Sequence, residues 1–380
     1  MRDSDPIRLG VVGCGDVFNA YMELAHVLEG QGVARVEAAC DHKEARRDEL
    51  LTEHGIRNFT TDYRQLVNSP DVDLVLVLTG MQNHAEITLA ALEAGKHVLV
   101  EKPMGVTVAE GRLVMDRARQ SPGKLMVAPH VVLSPTYQAI WHRLRDGDIG
   151  RVMSARARYG WSGGWWGHWY YRGGGGALFD LGVYNLTSLI GFLGPVKRVT
   201  AFTGVAIPTR EVNGEVIEVE ATDNAQVILD FGQSVFGAIT TGFTIQKYRG
   251  PAIELYGSEG TVQMLGDDWA PQGYELWRND VGAWQLHLES DPTWRWTDGL
   301  RHFVECIRRD SNPLVTVEMA YHVLEVMIKA EEAGSDGVAR EIESTFEPFV
   351  LPKPSGAQPG HLAHDPGRKH QLTQPEGASQ

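Results

Sequence analysis

Ile7-Arg8-Leu9-Gly10-Val11-Val12, followed at once by Gly13-Cys14-Gly15 and then by the amphipathic stretch Phe18 to Leu28, sets the course of the chain. A short apolar run, a glycine turn and a helical period form the opening of a β-α-β unit. A second apolar run, Val33 to Cys40, closes on Asp41, and the helix-forming residues Lys43 to His54 stop at Gly55. Asp73-Leu74-Val75-Leu76-Val77-Leu78 is dominated by a continuous apolar run, as expected for a strand buried on both faces. Asn83 to Ala94 reads as helix, His97 to Val100 as strand, Thr107 to about Arg119 as helix, and Leu125-Met126-Val127 as strand. Strands separated by helices of this length predict a doubly wound parallel sheet of the Rossmann kind over residues 1–129.

Beyond that point the period changes. Val152 to Tyr159, Val196 to Phe202, Val216 to Ile228, Ser234 to Phe243 and Ile253 to Leu265 alternate polar and apolar residues, and turn residues such as Asn213-Gly214 join them. Helical segments flank them at Thr136 to Arg145, Asp180 to Leu193, Trp296 to Arg309 and Glu318 to Ala333. The pattern predicts an α+β domain over residues 130–350, with an open, mainly antiparallel sheet that has one wet face. Residues 351–380 are rich in Pro, Gly, Gln and His with few large apolar residues, which predicts a disordered tail. His361, His364 and His370 are either a weak metal-binding tract or part of a solvated tail.

The chain has 380 residues, 43% of them hydrophobic and 22% charged, enough to bury a core in two domains. Lys and Arg total 35 against 49 Asp and Glu, a formal charge of −14. That balance excludes the basic stripe of a nucleic-acid binder and gives no attraction to an anionic membrane surface. No stretch reaches the roughly 20 apolar residues of a membrane span. Met1 to Pro6 has no signal-peptide core, and Cys14, Cys40 and Cys306 are too scattered for a disulfide framework or a metal site. A cytoplasmic protein without metal is expected.

Gly13 and Gly15 stand where a phosphate-binding loop belongs, with Asp16 and Val17 leading into the helix. The first glycine allows the tight turn and the second lets backbone amides approach a pyrophosphate. Phe18 replaces the third glycine of the fingerprint. Asp41, at the end of the second strand, is placed to accept hydrogen bonds from an adenosine ribose, which favours NAD; the plainer and compatible reading is a cap for a helix starting near Lys43. Lys43, Arg46 and Arg47 leave NADP open. Lys102, within Glu101-Lys102-Pro103, lies at a strand's carboxyl end, where ligands bind in such sheets. Gly173 to Gly176 lead to Ala177-Leu178-Phe179-Asp180-Leu181-Gly182-Val183-Tyr184. If Asp180 opens a helix, it shares a face with Tyr184. The plainer readings are an N-cap and a half-buried core ring.

Together these residues, with Thr79 and Asn83-His84, resemble the Gfo/Idh/MocA oxidoreductase family over residues 6–350. The resemblance implies a Rossmann domain that binds NAD(P) and a C-terminal sheet that assembles a homodimer or homotetramer. It implies Gly13, Gly15, Asp16, Val17, Asp41, Thr79, Asn83, His84, Glu101 and Lys102 as cofactor-binding, with Glu101 near the nicotinamide ribose and Lys102 beside the reacting carbon. Many members carry histidine at the position of Tyr184, and a tyrosine-bearing branch includes glucose–fructose and dihydrodiol enzymes. The activity implied is hydride transfer between a nicotinamide and a secondary alcohol or ketone of a sugar, polyol or glycoside. NAD-dependent glycoside cleavage and a non-catalytic dinucleotide-binding regulator are the alternatives. Lys102 and Tyr184 are the expected acid/base pair, with Asp180 orienting substrate. The lysine cation and an oxidised ring would draw the phenol from about 10 toward about 7.5.

Trp161-Ser162-Gly163-Gly164-Trp165-Trp166-Gly167-His168-Trp169-Tyr170-Tyr171-Arg172 is poor core sequence and poor helix. It suggests a sugar-stacking loop of Trp165, Trp166 and Trp169, with His168 and Arg172 binding hydroxyls. A plug between subunits is the other reading.

Overall fold

The computed structural model describes residues 5–289, 291 and 294–352. The first part of the chain forms β1 (Ile7–Val12), α1 (Phe18–Gly30), β2 (Ala34–Cys40), α2 (Arg46–His54), β3 (Asn58–Thr60), α3 (Tyr63–Val67), β4 (Leu74–Val77), α4 (His84–Glu93), β5 (His97–Val100), α5 (Val108–Gln120) and β6 (Leu125–Val127). The six strands are parallel, in the order β3-β2-β1-β4-β5-β6. The order reverses between β1 and β4, which opens a crevice at the carboxyl ends of β1, β4 and β5. Every residue of β4 is buried, the physical origin of its unbroken apolar run. The sequence reading passed over β3 and α3, which are too short to carry a period.

The second part forms α6 (Pro135–Asp146), β7 (Val152–Gly160), α7 (Val183–Leu193), β8 (Arg198–Gly204), β9 (Thr209–Val212), β10 (Glu215–Glu218), β11 (Asn224–Asp230), β12 (Phe236–Gly242), β13 (Ile253–Gly257), β14 (Gly260–Asp267), β15 (Ala270–Arg278), β16 (Ala283–His287), α8 (Gly299–Arg308), α9 (Val317–Asp336) and β17 (Arg340–Glu341). α6 starts where expected because the Ser134 side chain accepts the Tyr137 amide and Pro135 takes the first turn. Nine strands run in the order β16-β15-β14-β13-β7-β12-β11-β8-β17. Only the β7–β12 pair is parallel, so the sheet is mainly antiparallel. β11 alternates exposed and buried residues along its length, the mark of a sheet with one covered face.

The run expected from Val216 to Ile228 is two strands. β10 pairs with β9 in a separate ribbon, and β11 joins the large sheet. β15 and β16 were also missed. The tail expected over 351–380, with His361, His364 and His370, lies outside the described residues apart from its first two positions.

Candidate active site

The glycine loop follows β1 directly. Gly13 has φ +97°, and a Cβ there would sit 2.7 Å from the backbone of Leu78 and Thr79, so no other residue fits. A Cβ on Gly15 would meet nothing within 4 Å, so the loop faces open space at this point. No side chain caps α1, and its first turn carries no acidic residue, leaving the amides there for an anion. These features fit the pyrophosphate of a dinucleotide.

Asp41 is buried. Its Oδ2 accepts from the Cys14 amide at 2.9 Å and its Oδ1 from the Lys43 amide at 2.9 Å. It does not cap α2, which begins at Arg46 after Ala45. Its carboxylate braces the glycine loop against the end of β2. Arg46 pairs with Glu49 at 2.6 Å and Arg47 with Glu44 at 2.7 Å, so both guanidinium groups are already engaged.

Thr79 and Glu101 follow the ends of β4 and β5, and His84 ties the two ends together. Its Nε2 lies 2.9 Å from the Thr79 carbonyl and its Nδ1 2.7 Å from the Pro103 carbonyl. A neutral ring can donate to only one of these. Burial nevertheless pulls the imidazole pKa down, against the two carbonyls and Glu101. Asn83 is exposed at the mouth of the crevice. Glu101 is buried, accepting the Tyr21 hydroxyl at 2.7 Å and the Lys102 amide at 3.1 Å.

Lys102 reaches across to the second part of the chain. Its Nζ donates to Asp180 Oδ1 at 2.7 Å and to the Asp180 carbonyl at 2.9 Å, and it lies 5.3 Å from the centre of the Tyr184 ring. Asp180 is not an N-cap. It lies inside a π-helical turn, Leu178–Gly182, that runs straight into α7. The wider turn leaves the Asp180 carbonyl able to accept the lysine, and such turns recur at functional sites. Gly176 makes the approach possible, since its φ is +97° and a Cβ would lie 2.8 Å from the Thr222 carbonyl.

Burial works against the Lys102 cation, but Asp180 and Glu101 outweigh it and hold the amine's pKa above its usual value. Burial, then Glu101 and Asp180, push the Tyr184 phenol well above 10. The protein's own groups therefore favour an ammonium and a neutral phenol, so the phenolate expected beside an oxidised nicotinamide would have to form against Glu101 and Asp180. A ring edge-on at 5.6 Å, Tyr159, completes the wall behind Tyr184.

The aromatic segment is a small core in its own right, which corrects its description as poor core sequence. Tyr170 and Tyr171 are buried with Phe243, Val212 and Ile217, and Trp161, Trp166 and Trp169 pack on them. Trp169 stacks on Tyr170 at 3.6 Å. The Asn213 amide, at the β9–β10 turn, donates to the Trp165 carbonyl at 2.7 Å. Trp166 Nε1 donates to Asp16 Oδ2 at 2.9 Å, so this segment touches the glycine loop. Trp165 is 69% exposed. Arg172 is exposed and paired with Glu220, while His168 is half-buried. Tyr21, Tyr159 and the buried Asp268, which accepts from Asn185 and Ser188 of α7, escaped the sequence reading. They carry no motif and meet the site only through folding.

Residues 7–129 match an oxidoreductase family with an NAD-binding Rossmann fold, and residues 137–263 match the GFO/IDH/MocA C-terminal domain. A 1,5-anhydro-D-fructose reductase of Ensifer adhaerens is 29% identical over 352 residues, covering 89% of this chain and 99% of that protein. A trans-1,2-dihydrobenzene-1,2-diol dehydrogenase of Bos taurus is 26% identical over 343 residues, covering 85% and 96%. A levoglucosan dehydrogenase solved with NADH and levoglucosan superposes with a TM-score of 0.79 at 20% identity, covering 89% of this chain and 100% of that one.

Proposed function

This chain belongs to the Gfo/Idh/MocA family of NAD-binding oxidoreductases, and on that premise we propose that it moves a hydride between NAD and a secondary alcohol or ketone of a sugar, polyol or glycoside. The reading rests on one observation above all, the Lys102–Asp180 pair beside the Tyr184 ring at the end of β5. A dinucleotide sensor needs only the cradle and leaves this arrangement without a task. The anhydrofructose reductase and the dihydrodiol dehydrogenase among its relatives support a ring alcohol or ketone as the reacting group.

NAD, when bound, supplies the hydride acceptor or donor. Gly13, Gly15, Asp16 and Val17, with the first amides of α1, hold its pyrophosphate. Asp41 takes the adenosine ribose, and Thr79, Asn83 and Glu101 the nicotinamide end, with His84 fixing the two loops. The engaged state of Arg46 and Arg47 supports NAD over NADP. Lys102 and Tyr184 hold the substrate oxygen, and Asp180 keeps the lysine charged and aimed. In reduction the lysine–tyrosine pair gives a proton to the forming alkoxide. In oxidation the same pair must first lose one. Trp165, Trp166, His168, Trp169 and Arg172 flank the substrate.

In this reading residues 1–129 form the cofactor domain, 130–350 the substrate and assembly domain, and 351–380 a tail. Copies associate as a dimer or tetramer through the open face of the large sheet, where Phe202 is 82% exposed. No described helix is long and apolar enough to cross a membrane, and the three cysteines are buried free thiols. Both support a cytoplasmic setting. A panel of sugars, polyols and glycosides, offered with NAD and with NADP and followed by NADH absorbance, tests the proposal. Turnover of a glycoside without net NADH would favour cleavage instead, and no turnover of any kind would favour a sensor.

A further inference from the structure

Of the buried residues of α1, Tyr21 alone carries a polar group. Its ring lies in an apolar core, with Trp296 edge-on at 5.5 Å. A phenylalanine would fill the same space, so the hydroxyl needs its own account. That hydroxyl donates to Glu101 Oε1 at 2.7 Å, its one hydrogen bond among the described residues. Burial and then Glu101 hold the phenol well above its usual pKa, so Tyr21 keeps its proton and stays a donor. Resting on the oxidoreductase reading, which gives Glu101 the nicotinamide end of NAD, we propose that Tyr21 is a positioning residue whose hydroxyl fixes the Glu101 carboxylate as the acceptor for the nicotinamide ribose.

Glu101 is buried and makes no ion pair among the described residues, since the neighbouring ammonium of Lys102 lies against Asp180 instead. A buried carboxylate without a paired cation depends on hydrogen-bond donors. Glu101 has one on each oxygen, the Tyr21 hydroxyl on Oε1 and the Lys102 amide on Oε2 at 3.1 Å. Tyr21 is the only side chain of the two, and a donor to an ionised acceptor makes a bond roughly twice as strong as a neutral pair. Held at both oxygens, the carboxylate is not free to turn. Each oxygen keeps a lone pair, which matches the two hydroxyls of a ribose.

The placement of the bond gives it a further use. Tyr21 belongs to the first turn of α1, the helix whose leading amides face the pyrophosphate in that reading, and Glu101 directly follows β5. The hydrogen bond therefore ties the element that holds the pyrophosphate to the strand end that holds the nicotinamide ribose. Those are two points that one bound dinucleotide has to bridge, and Tyr21 fixes their separation from inside the core.

Calorimetric titration of the full chain with NADH, ADP-ribose and ADP tests the proposal, because ADP lacks the second ribose. Tyr21→Phe should weaken NADH and ADP-ribose about tenfold, equivalent to about 1.4 kcal/mol, and leave ADP unchanged. Glu101→Gln should reproduce that pattern, and Tyr21→Phe should add no loss in its background. An equal loss for all three ligands would make Tyr21 a packing residue only, and no loss for any would leave its hydroxyl without this role; either overturns the proposal. Full NADH affinity in Glu101→Gln overturns it as well, so the test stands even if Tyr21→Phe fails to fold. Every readout is binding, so a chain that binds NADH as expected yet turns over no sugar sinks the redox reading alone. A chain that binds none of the three ligands sinks both.

Discussion

Lys102 and Tyr184 both keep their protons at neutral pH, because Asp180 and Glu101 favour the ammonium and, with burial, oppose the phenolate. The site is therefore loaded to donate, and oxidation has to start by losing a proton. The pH dependence follows with a definite sign. kcat/KM for alcohol oxidation should climb with pH through neutral into the alkaline range, and ketone reduction should fall over the same range. Steady-state profiles in both directions check this, and an oxidation rate that declines with pH contradicts it. Positioned proton transfer contributes about 10²–10⁴-fold. Lys102→Met and Tyr184→Phe should each lower kcat within that range while NAD binding, followed by fluorescence titration, is largely kept. Near-normal kcat in Tyr184→Phe would take the tyrosine out of the mechanism. Asp41 braces the Cys14 amide and, in the proposed reading, accepts from the adenosine ribose. Asp41→Ala should weaken NAD binding by about 1.5–3 kcal/mol and narrow the gap to NADP, whereas a wild-type enzyme that prefers NADP would contradict the ribose role.

At the scale of elements, the aromatic segment and α7 each couple packing to the site. Trp165 is largely exposed, while Trp169 stacks on the buried Tyr170. Trp165→Ala should therefore shift stability by no more than about 0.5 kcal/mol, and Trp169→Ala should lose about 1–3 kcal/mol in urea unfolding. If the exposed indole contacts substrate, Trp165→Ala raises KM alone; loss of assembly with unchanged KM would establish the plug between subunits. Asp268, on the β14–β15 turn, packs against α7 with no cation beside it among the described residues. Burial raises its pKa from 3.8 to about 6, against the Ser188 and Asn185 hydrogen bonds. Because the folded value lies above the unfolded one, the favourable contribution is complete below about pH 4 and is lost as pH rises through about 6. Two pKa units correspond to about 3 kcal/mol. Unfolding free energy should carry that downward slope between pH 4 and pH 7, and Asp268→Asn should flatten it.

Across the whole molecule, the large sheet is covered on one side and open on the other. The registers place Phe202 opposite Gln226, Ile228 two residues along the same strand, and Phe236 opposite Asp230, all on the open face. All three are exposed. A run of exposed apolar side chains across three strands marks an interaction surface. Phe202→Asp combined with Phe236→Asp should shift the protein to monomers in light scattering without disturbing the Rossmann half. An unchanged mass would remove this face from the assembly.

Five of the six strands of the parallel sheet and the glycine loop were legible in the sequence because their signals are local. A buried strand such as Leu74–Val77 must be apolar throughout, and Gly13 must be glycine where a Cβ would strike backbone. What the sequence could not carry depends on groups far apart in the chain. Tyr21 meets Glu101 across 80 positions, and Asp268 meets Ser188 of α7 across 80 more. The aromatic segment became a core only because the β9–β10 ribbon packs against it. The protonation of Lys102 and Tyr184 was likewise decided by the tertiary structure, since burial and remote carboxylates set a pKa and neither is written in the local sequence.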